Sequence, residues 1–208
     1  MKENIKLIEL FGFPGSGKTT TVKQLVQLYP DFVFQPANVR FSVFRAFSLI
    51  LFLLKRRELF KVFKWRKSIP SSLKKNYYQS LIRFCLRVQQ DSKNQENPNK
   101  LIIDEGLLQI TWSVLLLPFI YDESLDVDGA LNYLIKEFWN KNRNILIIHL
   151  NPSDDEYLKR INSRERKHLF SEAFKNQEVA YIYKGKQLKD KIISKAKDQY
   201  ILKEINHE

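Results

Sequence analysis

Gly12-Phe13-Pro14-Gly15-Ser16-Gly17-Lys18-Thr19 sets glycines, a lysine and a hydroxyl at the spacing G-x-x-x-x-G-K-[ST]. Glycine permits the backbone curl that aims successive N–H groups inward, and a concave ring of amide donors suits the oxygens of a phosphate. A helix starting directly after the loop would add its positive end. In such a loop Lys18 reaches the β- and γ-phosphates of a nucleoside triphosphate, and Thr19, with Thr20 beside it, offers a hydroxyl to Mg²⁺. ATP or a similar triphosphate is therefore the expected ligand, with Mg²⁺ as its counter-ion.

Two further groups of residues could act on a bound phosphate. Asp104 and Glu105 follow the apolar run Leu101-Ile102-Ile103, and the carboxyl end of a buried strand is where an open α/β sheet places its ligands. An acid there can hold a metal-bound water or accept the proton of an attacking hydroxyl; it can also do no more than cap the next helix. Arg160, Arg164 and Arg166 crowd the stretch Arg160-Ile161-Asn162-Ser163-Arg164-Glu165-Arg166-Lys167. Forked guanidinium groups suit phosphate oxygens and would neutralise charge developing on a migrating phosphoryl group, or they simply decorate a solvated helix end.

These residues need elements to hold them. Ile5 to Phe11 reads as a buried strand entering the loop, Thr19 to Tyr29 as the first helix, and Phe32 to Phe34 as a second strand ending at Gln35-Pro36. Helical spacing runs from Phe41 to Phe63 and again from Tyr77 to Val88, and Ser92 to Lys100 reads as a loop. Leu101 to Ile103 is a strand, Leu107 to Leu117 and Asp128 to Lys141 are helices, and Asn144 to Leu150 is the clearest later strand. Asn151-Pro152-Ser153 should cap a helix, and Tyr200 to Ile205 should add the last strand. Short apolar strands separated by helices predict a parallel sheet covered on both faces. His149 inside its apolar strand, and Trp112, Trp139 and the phenylalanines at helical spacing, read as core.

A chain of 208 residues with 44% hydrophobic content fits one α/β domain. Cys85 is the only cysteine, so neither an intramolecular disulfide nor a cysteine-built zinc site can form, and with no secretory leader in evidence a reducing, cytoplasmic setting is expected. The net charge of +12 is concentrated. Residues 40 to 87 carry 13 Lys and Arg against Glu58 alone, while the rest of the chain balances at 22 basic and 22 acidic residues. Such a segment can face an anionic small-molecule acceptor, an acidic membrane surface or a lipid-linked substrate, nucleic acid, or only solvent. Its aromatic residues sit at helical spacing rather than on a sheet platform, which disfavours nucleic acid. The apolar run Ala46 to Leu54 before Lys55-Arg56-Arg57 is too short to span a bilayer but could lie peripherally on one.

Phosphate loop, strand-end acid and late arginine cluster, in that order, resemble the nucleotide-kinase group of P-loop proteins, and the chain looks like the thymidylate kinase and deoxynucleoside kinase branch. The long helical stretch after strand two, the acidic triplet after strand three and the pattern R-I-x-x-R-x-R at Arg160, Ile161, Arg164 and Arg166 carry that likeness. The resemblance implies a P-loop NTPase fold with a five-stranded parallel sheet, helices on both faces and a helical insert after strand two. It implies a single domain over residues 1 to 208, an acceptor side at about 36 to 100, a lid at about 160 to 170, and ATP with Mg²⁺ as donor. Catalytic roles fall on Lys18, Asp104, Arg164 and Arg166, metal contact on Thr19 and Asp104, nucleotide contact on Arg160 besides residues 12 to 20, and acceptor contact on Gln35, Arg40 and Glu105. The chain departs from the branch twice. Gln35-Pro36 stands where deoxynucleoside kinases carry Glu-Pro with the Glu as base, and Glu105 stands where the branch carries arginine. Gln cannot take a proton, so Asp104 inherits that role. A nucleoside or nucleotide leads as acceptor, followed by a sugar or lipid-linked saccharide; a polynucleotide kinase or nucleic-acid-dependent ATPase and a regulatory nucleotide-binding protein are the rival classes.

Overall fold

The computed structural model describes residues 5–13, 15–36, 62, 64–94, 99–139, 144–153 and 178–207. Pro14, the first half of the basic segment with Arg40, Lys55, Arg56 and Arg57, and the whole arginine cluster with Arg160, Arg164 and Arg166 lie outside them, as do the expected helix from Phe41 and the one expected after Ser153.

Five strands form one sheet: β1 (Leu7–Gly12), β2 (Phe32–Gln35), β3 (Lys100–Ile103), β4 (Ile145–Pro152) and β5 (Ile201–His207), in the order β2-β3-β1-β4-β5. All four pairings are parallel. Side chains alternate across a strand, and β1 divides accordingly. Ile8 and Leu10 face helix α1 (Lys18–Leu28), packing with its Val22 and Leu25 and with Ile102, Ile148 and Leu150. Leu7 and Phe11 face the other four described helices: α2 (Lys74–Asn94), α3 (Leu107–Tyr121), α4 (Val127–Phe138) and α5 (Glu178–Lys197).

The helix α3 is apolar nearly all round because it is covered nearly all round; eleven of its fifteen residues, from Leu107 through Pro118, are buried between the sheet, α2 and α5. It runs one turn past the expected end at Leu117, since Pro118 removes a single N–H yet still offers the carbonyl that Asp122 N closes on at 2.8 Å. The helix α2 extends to Asn94, so Ser92 to Asn94 are helical rather than loop. Strand β4 also outruns its expectation: Asn151 and Pro152 pair with Asn206 and His207 of β5, and the helix that Asn151-Pro152-Ser153 were expected to cap lies outside the described residues. Pro152 can sit in the strand because pairing with β1 stops at Leu150, which leaves β4 with one unpaired edge at this point. No element was expected where α5 lies. Its apolar stripe, Leu188, Ile192, Ile193 and Ala196, is interrupted by Gly185 and Lys189, which face other residues described below. Trp112, Trp139 and His149 are buried as expected. Among the described residues, no helix is long and apolar enough to cross a membrane.

Candidate active site

Parallel strands bring their carboxyl ends to one edge of the sheet, and the candidate residues collect there. Strand β1 ends at Gly12 and opens into the loop; β2 ends at Gln35, β3 at Ile103 just before Asp104, and Gln35 and Glu9 flank Ile103 in register on either side. Gln35, Asp104 and Glu105 are half-buried, and Thr19 and Thr20 are exposed in the first turn of α1.

Inside the loop, Gly15 and Gly17 adopt φ of 98° and 92°, a region that L side chains rarely enter. Gly12 is required for a different reason. A Cβ there would lie 2.6 Å from Ser16 Oγ and 2.8 Å from the Leu150 carbonyl. Ser16 N donates to the Phe13 carbonyl at 3.0 Å, and Lys18 Nζ curls back to donate to the Gly12 and Phe13 carbonyls at 2.6 and 3.0 Å. The helix α1 begins on Gly17 with no side-chain cap and no acidic residue in its first turn. Its positive end is thus left for an anion. Ser16 Oγ is fully buried without a hydrogen-bond partner, a second unmet polar group within the same cradle. The donor set fits a phosphate chain.

Two contacts secure this loop that the linear motif does not reveal. Gly12 N donates to Gln109 Oε1 of α3 at 3.2 Å, in a buried setting. The Phe13 ring meets Trp112 edge-on, centroids 5.4 Å apart, with Lys189 Nζ 5.3 Å from its centre. Trp112 Nε1 donates to the Gly185 carbonyl at 2.9 Å, and a Cβ on Gly185 would come within 3.2 Å of Phe13. Lys189 also donates to Asn151 Oδ1 at 2.7 Å. The interruptions in the stripe of α5 are therefore the residues that receive Phe13.

Asp104 is not the cap of the following helix. The N-cap of α3 is Gly106, which has no side chain to offer, and Glu9 of the central strand accepts from Leu108 N at 2.7 Å in its stead. A Cβ on Gly106 would fall 2.0 Å from Glu9 Cδ. Only 2% of Glu9 is exposed. Sequence reasoning missed Glu9, Gln109 and Lys189; the polar letters Glu9 in a buried strand and Gln109 in an apolar helix were the available signals.

His149 lies in the core against Phe11, ring centres 5.9 Å apart, with Nδ1 3.4 Å from a Glu204 carboxylate oxygen. Neither ring nitrogen makes a hydrogen bond. Burial, reinforced by the Lys189 ammonium, pushes its pKa down to about 4. The Cys85 thiol, buried in α2, is pushed up to about 12 by desolvation and is inert. Among the described residues no three His, Cys, Asp or Glu side chains cluster as metal ligands.

No protein-family model matches the chain, and no curated protein sequence does either. Solved structures do. The chain is similar to deoxyadenosine kinase from M. mycoides with bound dATP, at 16% identity and a TM-score of 0.60 over 96% of this chain and 90% of that one. The same enzyme with bound dCTP gives 13% identity and 0.57, covering 96% and 89%. Thymidylate kinase from Candida albicans gives 14% identity and 0.58, covering 99% and 85%. At these identities the likeness establishes the fold, which is that of the P-loop nucleotide kinases.

Proposed function

We propose that this protein is an ATP- and Mg²⁺-dependent kinase acting from a single domain, transferring the γ-phosphoryl group to a hydroxyl or phosphate of a small acceptor, with a nucleoside or nucleotide favoured. The observation that carries this reading is the meeting, at one sheet edge, of a phosphate cradle with unmet donors and the half-buried acids Asp104 and Glu105. The kinship in fold with deoxyadenosine and thymidylate kinases supports the same acceptor class.

In this reading the amides of residues 12 to 19 bind the triphosphate, and Lys18 exchanges its two loop carbonyls for phosphate oxygens. Thr19 and Asp104 would hold Mg²⁺, which when bound neutralises charge on the β- and γ-phosphates. Asp104 alternatively takes the proton of the acceptor hydroxyl; Gln35, beside Ile103 in register, can donate and accept hydrogen bonds to the acceptor but cannot serve as base. Arg160, Arg164 and Arg166 would neutralise the migrating group, and Arg40 and Glu105 would contact the acceptor. A sugar or lipid-linked saccharide is the second reading, favoured by Gln35 and Glu105 where the resembling branch has Glu and Arg.

The test is transfer from γ-labelled ATP to a panel of nucleosides, nucleotides, sugars and oligonucleotides. One acceptor should be labelled, and Lys18→Ala should slow its labelling by a few hundredfold, the cost of about 3 to 4 kcal/mol for one preorganised donor. A folded Lys18→Ala protein with full activity would refute the assignment.

A further inference from the structure

We propose that Glu9 is a positioning residue that sets the pose of Asp104 and Glu105, while Gln109, one residue beyond the amide that Glu9 holds, separately sets the pose of the phosphate loop. The inference rests on the kinase reading for the use of the two acids, and on geometry for everything else.

The chain leaves the sheet at Ile103, which lies in register with Glu9, and returns to the same residue when Leu108 N donates to Glu9 Oε1. Asp104 and Glu105 therefore sit on a short excursion pinned at both ends to one position of the central strand. A helix start ordinarily meets its orphan amides with a local Ser, Thr, Asp or Asn at little cost. Here the cap position is glycine, and the acceptor is a carboxylate brought from 99 residues away and buried to 98%. Burying a carboxylate is expensive unless it is well bonded. A charge-assisted bond to the positive end of α3 offsets part of that cost and fixes the turn more tightly than a flexible local cap could. Gly106 completes the device, because any Cβ there would displace the carboxylate. One residue further, Gln109 accepts from Gly12 N. The first turn of α3 thus holds the acids through one side chain and the loop through another, and the two functions are separable.

Three readouts test this: melting temperature, hydrogen exchange of the Leu108 amide and its neighbours, and affinity for a fluorescent ATP analogue in Mg²⁺ and in EDTA. Glu9→Ala should expose Leu108 N to exchange and lose about tenfold or more of the Mg²⁺-dependent gain in affinity, the usual range for a group supporting a metal ligand. Its affinity in EDTA should match the wild type. Gln109→Ala should weaken binding in both conditions and leave the ratio unchanged. Glu9→Gln, which keeps an acceptor for Leu108 N, should recover most of the lost gain. Gly106→Ala should reproduce Glu9→Ala and replaces it if that variant does not fold. The proposal is overturned if Glu9→Ala keeps the Mg²⁺ gain, loses affinity equally in EDTA, or leaves Leu108 protected. A wild type without any Mg²⁺ gain would likewise overturn it, whereas the kinase reading itself fails only if no acceptor is labelled from ATP.

Discussion

His149 makes the molecule sensitive to acid at a point remote from any proton-transfer role. Its pKa falls from 6.5 unfolded to about 4 folded because burial disfavours the imidazolium and the Lys189 ammonium repels it. The unfolded chain therefore binds the proton first. Stability conferred by the neutral ring is complete above pH 6.5, declines as pH falls through the window from 6.5 to 4, and is lost below it. Between pH 7.5 and 5 this amounts to about 2 kcal/mol. His149→Phe should flatten that part of the profile in urea melts at the two pH values; an unchanged difference would show that the ring protonates freely in the folded state. At the reacting end, Asp104→Asn should lower kcat by about a hundredfold with nucleotide affinity much less affected. Equal losses in both would place Asp104 in ground-state binding. The loop from Gly12 to Thr19 was legible in the sequence because its parts are contiguous. Glu9 and Gln109 were not, because their partners stand 99 and 97 residues away.

Among the elements, strands and the core helices were legible wherever one chemical pattern persisted. The helix α3 is apolar at most positions, β1 is a continuous buried run, and β4 is buried through Leu150. Ends were less legible, since β4 continues only because β5 lies alongside to pair with Asn151 and Pro152. The helix α5 escaped notice because its two anomalous positions, Gly185 and Lys189, are explained only by the Phe13 ring they receive. The helix α4 is the simplest case: Asp126 caps it by accepting from Gly129 N at 2.9 Å. Asp126→Ala should cost about 1 kcal/mol. Chemical denaturation should show this loss without any change in nucleotide affinity, and a loss of affinity as well would tie α4 to the site.

For the molecule as a whole, charge is the feature that structure leaves largely as sequence presents it. The described part of the basic segment exposes Lys64, Arg66, Lys67, Lys75 and Arg83, with no acid from Val62 to Gln90 to balance them. A field of this kind raises the local concentration of an anion and is screened beyond about 10 Å at 0.1 M salt. Acceptor KM should therefore rise with salt. Replacing Lys55, Arg56 and Arg57 together by Gln should raise it further, with ATP affinity nearly constant; if the acceptor is lipid-linked, the same change should release the protein from anionic vesicles. Indifference of both measurements to salt and substitution would make the segment a solvated face only. The sheet order has a further consequence, for the time course of synthesis. The central strand, finished at Gly12, must wait for Lys100 to emerge before its first neighbour β3 exists, and for Ile145 before its second. During that interval β1 and β2 are unpaired apolar segments on a growing chain, the kind of species that associates with its like. What emerges in the meantime is the segment of net charge +12. Mutual repulsion between such segments would oppose that association until β3 arrives to close the first pairing, and a chain with the segment's charges neutralised should aggregate more during cell-free synthesis.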